Sequence, residues 1–458
     1  MNRRLPGIVA TLALVAPVLA ACGSSSSNAP TPAATKATKV NPSGALPKDV
    51  TKPPPSDPYA SAAKKYSGQT ITYYGDGIGI GHDMDIAAAQ KFTKQTGINV
   101  NIVIKPSDSN AAYSTYQRLF TAQSNKIDAM MLDVIWPGSF GPDLLNLSPA
   151  MSSTIKQYYP SIVTNDTVGG HLVAVPWFSD FGMLYYRKDL LQKYSIASPP
   201  ATWAEMAADA KKIQAGEQKT NKAFYGFVYQ GKPYEGLTCD ATEWLTSAGA
   251  GNWIQNGKVN LDNPKATAML SMVQGWVGSI SPKDVTTYTE VESDNAFNNG
   301  DAAFMRNWPY AFAVAQQQPK VKGKVAVTAL PHQPGQQSTA TVGGWQLGVS
   351  KFSSHPGAAT AWVKYLTSPQ VETWRAVVGS FVPSIPSLNK QASVVAAEPF
   401  LATTANAIRV TRPSKFLGVK YNQGSNLFWQ AVSQIENGSS PSSVLPATGQ
   451  QLNRLTGS

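Results

Sequence analysis

The chain has 458 residues, a hydrophobic content of 42% and a formal net charge of +11. Its length exceeds what a single compact core usually holds, so two domains are expected. The basic residues are scattered singly or in pairs, which argues against a nucleic-acid partner. The four histidines lie far apart and neither CxxC nor HExxH occurs, so neither a metal site nor a cofactor is expected.

The N-terminus has the layout of an export signal. Arg3 and Arg4 precede an apolar run, residues 5–21, which is interrupted by proline and glycine and is too short for a good membrane span. The run ends in LAACG, which resembles the lipobox of bacterial lipoproteins; this implies cleavage before Cys22 and a lipid on its thiol. We therefore expect a signal peptide over residues 1–21 and an extracytoplasmic protein anchored to the membrane through Cys22. The alternative is an ordinary cleavable signal with a chance cysteine.

The segment over residues 22–68 is rich in Ser, Ala, Pro, Thr and Lys. Such a composition buries too little apolar surface to offset the entropy lost on ordering, so we predict a disordered tether after the lipidated cysteine. The one other cysteine is Cys239, so no disulfide within the chain is expected once Cys22 is acylated. A buried, unreactive thiol is the favoured interpretation of Cys239.

The rest of the chain alternates between strand and helix patterns. Strands are predicted over residues 69–74, 99–105, 129–132, 171–177, 183–187, 225–229 and 324–330, with another ending at Val349. Helices are predicted over residues 85–96, 114–123, 202–214, 241–248, 264–277 and 357–366. This alternation predicts an α/β fold with a parallel sheet. The glycine-rich loop over residues 75–81 does not fit GxGxxG, so dinucleotide binding is not favoured.

Candidate ligand contacts follow the predicted strands, because ligands of open α/β sheets bind beyond the carboxyl ends of the strands. The segments are residues 75–83, 133–140, 177–180 and 230–240, to which 307–310 and 343–345 are added. They combine aromatic rings with carboxylates and amides. Aromatic faces pack on the C–H faces of sugars, and polar side chains bond the hydroxyls, so a neutral polyhydroxyl ligand is favoured. The alternative is that these aromatic residues belong to the core and these acids cap helices or face solvent.

Seven stretches resemble the trehalose/maltose-binding proteins, which are extracytoplasmic solute-binding proteins of carbohydrate ABC importers. They are LDVIWPGSF (132–140), VPWFSDFGMLYYRKDLLQKY (175–194), PPATWAEM (199–206), YGFVYQGKPYEGLTCD (225–240), NNGDAAFMRNWPYAF (298–312), VKGKVAVTALPHQPG (321–335) and TVGGWQLGVSKFS (341–353). The similarity covers most of residues 69–440. It implies a two-lobed periplasmic-binding-protein-like fold of type II with a hinge. Lobe one would comprise residues 69–176 plus 325–378, and lobe two residues 177–324 plus 379–450.

The resemblance also implies the residues that contact the ligand. The family's acidic residue after the first strand has no clean counterpart; Asp83 is nearest, with His82 as the alternative. A family arginine on the next helix cannot be placed, and Arg118 is only nearby. Phe178 stands where the family often has tyrosine, which removes a hydroxyl but keeps a ring. The other implied contacts are the aspartates Asp133 and Asp180, the acceptor Glu235, the stacking rings Trp308 and Tyr310, the segment Gly343, Gly344 and Trp345, and the arginine Arg412.

The implied function is binding without catalysis. The ligand would be a disaccharide, with trehalose favoured and maltose or another α-glucoside as alternatives. The implied partners are ABC permease subunits with a cytoplasmic ATPase, and the binding protein would be a monomer. Paired carboxylates beside aromatic rings also suit a secreted glycoside hydrolase, which would need two carboxyl groups about 5 to 9.5 Å apart. No hydrolase motif accompanies them. A receptor that signals by closure is a third, weaker alternative.

Overall fold

The computed structural model describes residues 37–457. The predicted signal peptide, Cys22 and the first part of the predicted tether lie outside these residues. The strands within residues 37–457 are β1 (Thr38–Lys39), β2 (Thr70–Gly75), β3 (Asn99–Ile104), β4 (Ala129–Asp133), β5 (Thr167–Val168), β6 (His171–Leu172), β7 (Ala174–Ser179), β8 (Met183–Arg187), β9 (Tyr225–Val228), β10 (Ile254–Gln255), β11 (Lys258–Val259), β12 (Ala302–Asn307), β13 (Val325–Thr328), β14 (Thr339–Thr341), β15 (Trp345–Val349), β16 (Val382–Pro383) and β17 (Ile408–Val410).

Helices account for most of the remaining regular structure. The α-helices are α1 (Ala60–Ala63), α2 (Gly81–Thr96), α3 (Ser109–Thr121), α4 (Pro137–Phe140), α5 (Ser148–Met151), α6 (Pro160–Asn165), α7 (Lys188–Lys193), α8 (Trp203–Glu217), α9 (Glu235–Ser247), α10 (Pro264–Trp276), α11 (Glu290–Asn298), α12 (Tyr310–Ala315), α13 (Pro356–Leu366), α14 (Pro369–Gly379), α15 (Ala392–Ala397), α16 (Phe400–Thr403), α17 (Ser414–Leu417), α18 (Tyr421–Glu436) and α19 (Pro441–Thr456). Short 3-10 turns occur at Lys64–Tyr66, Gly141–Asp143, Ile155–Gln157, Lys283–Thr287, Leu388–Lys390 and Gly418–Lys420. Within residues 37–457, none of the helices combines the length and apolar character needed to span a bilayer.

Two sheets organise the fold into two lobes. The seven-stranded sheet of lobe one has the order β1-β3-β2-β4-β15-β7-β16, and the four-stranded sheet of lobe two has the order β13-β8-β12-β9. In lobe one, β2 pairs in parallel with β3 and β4, whereas β15 is antiparallel to β4 and β7. The expected two-lobed α/β fold is confirmed, although its larger sheet is mixed rather than parallel.

Two strands lie in a different lobe from the one expected. β13 was expected in lobe one, but it pairs antiparallel with β8 of lobe two. β16 was expected in lobe two, but it pairs antiparallel with β7 of lobe one. The lobe boundaries expected at residues 325 and 378 are therefore wrong, because in both places the chain completes one more strand in its current sheet before it crosses.

Three chain segments cross between the sheets: residues 180–182, 329–344 and 384–420. The second and third contain β14 and β17, which pair in parallel. The first and second are joined where the Gly343 N–H donates to the Asp180 carbonyl oxygen over 2.9 Å. The crossing segments therefore form one hydrogen-bonded structure between the lobes.

The described part of the predicted tether is packed on lobe one. β1 pairs antiparallel with β3 at the edge of the large sheet. Trp374 Nε1 donates to the Lys52 carbonyl oxygen over 2.9 Å, and the Tyr365 hydroxyl donates to the Pro55 carbonyl oxygen over 3.0 Å. The expectation of disorder is wrong for residues 37–68. Pairing at the sheet edge and hydrogen bonds from buried aromatic side chains satisfy backbone groups of this segment, and composition alone does not indicate these contacts.

Local sequence signals explain several boundaries. The predicted capping box at the start of α8 is present: Glu205 N–H donates to Thr202 Oγ1 over 3.2 Å, and the Glu205 carboxylate accepts from Thr202 N–H over 2.9 Å. Gly97 ends α2 in the left-handed conformation with φ of +76°, as a helix-terminating glycine should. These two caps fix helices that pack on the sheets of lobes two and one, respectively.

Candidate functional site

A cavity lies between the two sheets, beside the crossing segments. Its walls include every residue expected to contact a ligand except Asp83. They also include residues that the sequence analysis did not name: Asp76 and Tyr234, which lie within the candidate segments 75–83 and 230–240, and Ser109 and Glu290, which lie outside every candidate segment. The structure therefore brings together side chains that are far apart in the sequence.

Asp76 occupies the position at which the expected acidic residue after the first strand had no counterpart. It directly follows β2, and its Oδ1 accepts the backbone N–H groups of Gly77 (2.8 Å) and Ile78 (3.1 Å). A Cβ on Gly81 would lie 2.2 Å from Asp76 Oδ2, so the close approach of loop and carboxylate requires glycine there. Adjacency to the strand end was the signal that could have identified Asp76.

Asp83 does not line the cavity, and its expected role as a ligand contact is therefore not supported. It lies in the first turn of α2, which begins at Gly81, four residues earlier than predicted. Burial raises the pKa of Asp83, and the neighbouring Asp49 carboxyl group adds to the effect. The early helix start places Asp83 beside the N-terminal segment of the chain.

Arg412 links the two lobes at the cavity wall. Its Nη2 donates to Asp133 Oδ1 over 2.8 Å, and its Nη1 donates to Glu235 Oε1 over 2.9 Å. Asp133 ends β4 of lobe one, whereas Glu235 begins α9, which follows β9 of lobe two. All three side chains are buried. The two carboxylates hold the guanidinium in one orientation and outweigh the effect of burial, so the pKa of Arg412 is raised.

Glu235 is already surrounded by protein donors. Besides Arg412, its carboxylate accepts hydrogen bonds from the hydroxyl of Tyr421 and, over 2.7 Å, from that of Ser425. Burial raises its pKa, while Arg412 opposes that rise. We had expected Glu235 to accept a ligand hydroxyl, but these contacts indicate that its main role is to position Arg412.

One of the two faces of the Trp308 ring is covered by a neighbouring side chain. The Arg306 guanidinium lies 3.9 Å from the centroid of the Trp308 ring. The indole Nε1 donates to Glu290 Oε1 over 3.2 Å, and Glu290 Oε2 accepts the hydroxyl of Tyr234 over 2.6 Å. The ring is thus held by a cation and by a carboxylate, which leaves one face for a ligand.

Asp180 lies on the first crossing segment and faces the other acidic residues of the cavity. It is 8% exposed, and its Oδ1 has no hydrogen-bond partner within residues 37–457. Burial raises its pKa to about 8, and the negative charges of Asp76 and Asp133 add to the effect. The raised pKa favours the protonated form, in which the carboxyl group can donate a hydrogen bond.

The remaining expected residues complete the walls. The Phe178 ring packs against Phe381 with centroids 4.9 Å apart. Gly344 has φ of +105°, and a Cβ there would lie 2.5 Å from the Phe178 carbonyl oxygen, so glycine is required for this approach of two backbones. Cys239 is free and buried, as expected, and burial raises the pKa of its thiol. It lines the same cavity.

The cavity offers aromatic ring faces, carboxylate acceptors and a small number of hydrogen-bond donors to a ligand. The described residues contain no group of three or more His, Cys, Asp or Glu side chains arranged to hold a metal ion. Two α/β lobes with a cavity at their crossings are the architecture of proteins that close on a ligand by hinge motion, as periplasmic binding proteins do.

The chain belongs to the bacterial extracellular solute-binding protein family, whose sequence model matches residues 81–373. The probable ABC transporter-binding protein of Deinococcus radiodurans is 44% identical over 403 residues, which are 87% of this chain and 96% of that protein. The structure of maltose-bound T. maritima MalE3 is similar with a TM-score of 0.79 and 35% identity, covering 85% of this chain and 100% of that one. A solute-binding protein of Thermotoga lettingae bound with alpha-D-tagatose has a TM-score of 0.76 and 21% identity, covering 85% and 100%, and shows likeness of fold alone.

Proposed function

We propose that this protein is the substrate-binding lipoprotein of a carbohydrate ABC importer and that it binds a disaccharide between its lobes. Trehalose is the favoured ligand, with maltose or another α-glucoside as alternatives. The observation that carries the proposal is the juxtaposition of Trp308, Tyr310 and Trp345 with buried carboxylates in the cavity. Ring faces and paired acceptors suit a neutral sugar. The similarity to maltose-bound MalE3 supports the same ligand class.

Each part of the cavity has a role in this proposal. Arg412 donates to ligand oxygens while Asp133 and Glu235 hold its guanidinium. The protonated Asp180 carboxyl group donates a hydrogen bond to a sugar oxygen, and Asp76 accepts one from a sugar hydroxyl. Phe178 contributes a ring face without a hydroxyl. The backbone of Gly343 and Gly344 and the ring of Trp345 close the cavity beside the crossing segments.

Isothermal titration calorimetry of the chain without its first 22 residues tests the ligand. Trehalose, maltose and other α-linked disaccharides are titrated, and the β-linked disaccharides cellobiose and lactose serve as comparison sugars. We expect saturable binding of at least one α-linked glucoside. Failure of every α-glucoside to bind would refute the ligand assignment.

The same incubated mixtures test the proposal of binding without catalysis. Relatives of this chain are named as binding proteins of ABC transporters, and we expect chromatography to recover the sugar unchanged. Glucose release that scales with protein concentration would instead favour the glycoside hydrolase. In that case Asp180, whose pKa is raised to about 8, would be the candidate proton donor.

The lipid anchor is tested on the full chain in a bacterial host. We expect mass spectrometry to find two acyl chains on Cys22 and the protein to sediment with membranes. Cys22→Ala should release it from the membrane fraction, because two acyl chains provide stable anchoring. A membrane-bound Cys22→Ala protein would contradict the anchor.

The ABC permease and its ATPase remain the proposed partners of the monomeric, loaded protein.

A further inference from the structure

Lys105 follows β3 at the same sheet edge as Asp76 and Asp133. Because β2 pairs in parallel with both β3 and β4, the carboxyl ends of the three strands meet at one edge. The Lys105 N–H donates to the Gly75 carbonyl oxygen over 3.1 Å, which continues the β2–β3 pairing to this residue. The strand order β3-β2-β4 therefore places Lys105 next to Asp76, with Asp133 on the far side of Asp76, at the edge of the lobe-one sheet that faces the cavity.

The Lys105 ammonium is buried and has unused donors. The residue is 1% exposed, and its Nζ has no hydrogen-bond partner within residues 37–457. Nζ lies 4.0 Å from the centroid of the Trp345 ring, and Trp345 lines the cavity. A cation over an indole face is favourable, but it satisfies none of the three N–H groups. Buried donors of this kind are normally hydrogen-bonded.

The electrostatic surroundings of Lys105 favour a neutral acceptor. Burial lowers its pKa, whereas the carboxylates of Asp76, Glu290 and Asp133 act in the opposite direction. All three carboxylates line the cavity. An anionic ligand group near Lys105 would be repelled by them. A sugar hydroxyl is not repelled, because its oxygen can accept a hydrogen bond from the ammonium while its O–H donates one to a carboxylate.

We propose that Lys105 contacts the ligand at the lobe-one end of the cavity, where its ammonium donates to one hydroxyl oxygen of the bound sugar. The inference rests on the proposed function and identifies a donor for the end of the ligand that sequence reasoning left unassigned. The competing explanation is that Lys105 only balances the three carboxylates and packs on Trp345.

Lys105→Met tests the proposal, because methionine keeps the apolar stem and removes the charge. The matched control is Lys126→Met, which changes an exposed lysine of the same lobe. Calorimetry compares both variants and the unmodified protein with the best-bound disaccharide and with its set of monodeoxy analogues. Loss of a hydrogen bond from a charged donor should weaken binding of the parent sugar about 10- to 100-fold in Lys105→Met. The control should match the unmodified protein.

The monodeoxy analogues separate direct contact from charge balance. In the unmodified protein, one analogue should bind about 10-fold or more weakly than the parent sugar because it lacks the hydroxyl held by Lys105. In Lys105→Met, this analogue should bind as well as the parent sugar does, while the other analogues should keep the losses of affinity that they show with the unmodified protein. An equal loss for every analogue, or binding of the parent sugar within twofold of the unmodified protein, would overturn the proposal.

A second variant covers the case in which Lys105→Met does not fold. Lys105→Arg keeps a positive charge beside the carboxylates but changes the donor geometry. The proposal then requires a changed pattern of monodeoxy penalties, and an unchanged pattern overturns it. Failure of the unmodified protein to bind any sugar would instead refute the proposed function, and this inference with it.

Discussion

Replacing Trp308 by alanine should weaken sugar binding far more than it weakens the fold. An indole side chain buries roughly 200 Å² in a full contact, and Arg306 already covers one face, so about 100 Å² is available to a ligand. At about 25 cal/mol per Å² this surface contributes about 2.5 kcal/mol to binding. The affinity of Trp308→Ala should therefore fall about 60-fold.

The assay is calorimetric titration with the best-bound disaccharide, together with thermal unfolding of the ligand-free protein. Trp308→Phe is the matched variant: it keeps a ring face but loses the indole N–H that donates to Glu290. We expect it to lose less affinity than Trp308→Ala, because a phenyl ring still offers an aromatic face to the ligand. Alanine and phenylalanine variants with equal affinity, or an alanine variant that is unfolded, would refute the assignment of Trp308 as a ligand-stacking ring.

Three further predictions concern charge and access in the same cavity. The pKa of Asp180 is about 8 in the folded protein and about 3.9 when unfolded, so stability should fall as pH rises from about 4 to 8. The melting temperature of Asp180→Asn should therefore increase relative to that of the unmodified protein as the pH rises through that range. A difference in melting temperature that does not change with pH would contradict this prediction. Arg412→Met should cost about 3–5 kcal/mol in urea unfolding, because Asp133 and Glu235 lose their buried partner. Adding Glu235→Gln should recover part of the loss, and no recovery would refute the charge explanation. Cys239 should react with maleimide more slowly when sugar is bound, as measured by intact mass, and an unchanged rate would place it away from the ligand.

Local patterns were sufficient for most strands and helices. The strand predicted over residues 183–187 has the same bounds as β8, and the helix predicted over residues 264–277 is α10 with one residue fewer. The helix predicted over residues 241–248 begins earlier, at Glu235. Glu235 contacts Arg412 and Tyr421, which lie almost 200 residues away in the chain. No periodicity within the helix could have indicated them.

The candidate site was predictable where a residue lies in a distinctive stretch and was missed where only topology identifies it. The stretches around Trp308 and Gly344 carry the family resemblance, and both residues line the cavity. Asp76 and Lys105 have no such stretch, and their common feature is that each directly follows a strand of the same parallel group. Glu290 gave no local sign, because its contacts with Tyr234 and Trp308 are long-range.

Asp180 and Gly343 belong both to the crossing segments and to the walls of the cavity. The Asp180 carbonyl oxygen accepts the Gly343 N–H within the crossings, so these residues can stay together when the lobes separate. Other contacts must break, because they join the lobes directly: Lys232 Nζ donates to Asp108 Oδ2 over 2.8 Å, and Glu235 N–H donates to Asn110 Oδ1 over 2.9 Å. The Lys232–Asp108 pair is partly exposed and contributes at most about 1 kcal/mol. The direct contacts between the lobes are therefore weak, whereas the bridge from Arg412 to Asp133 and Glu235 is buried. A ligand that bonds to both lobes would favour the closed state in addition to this bridge.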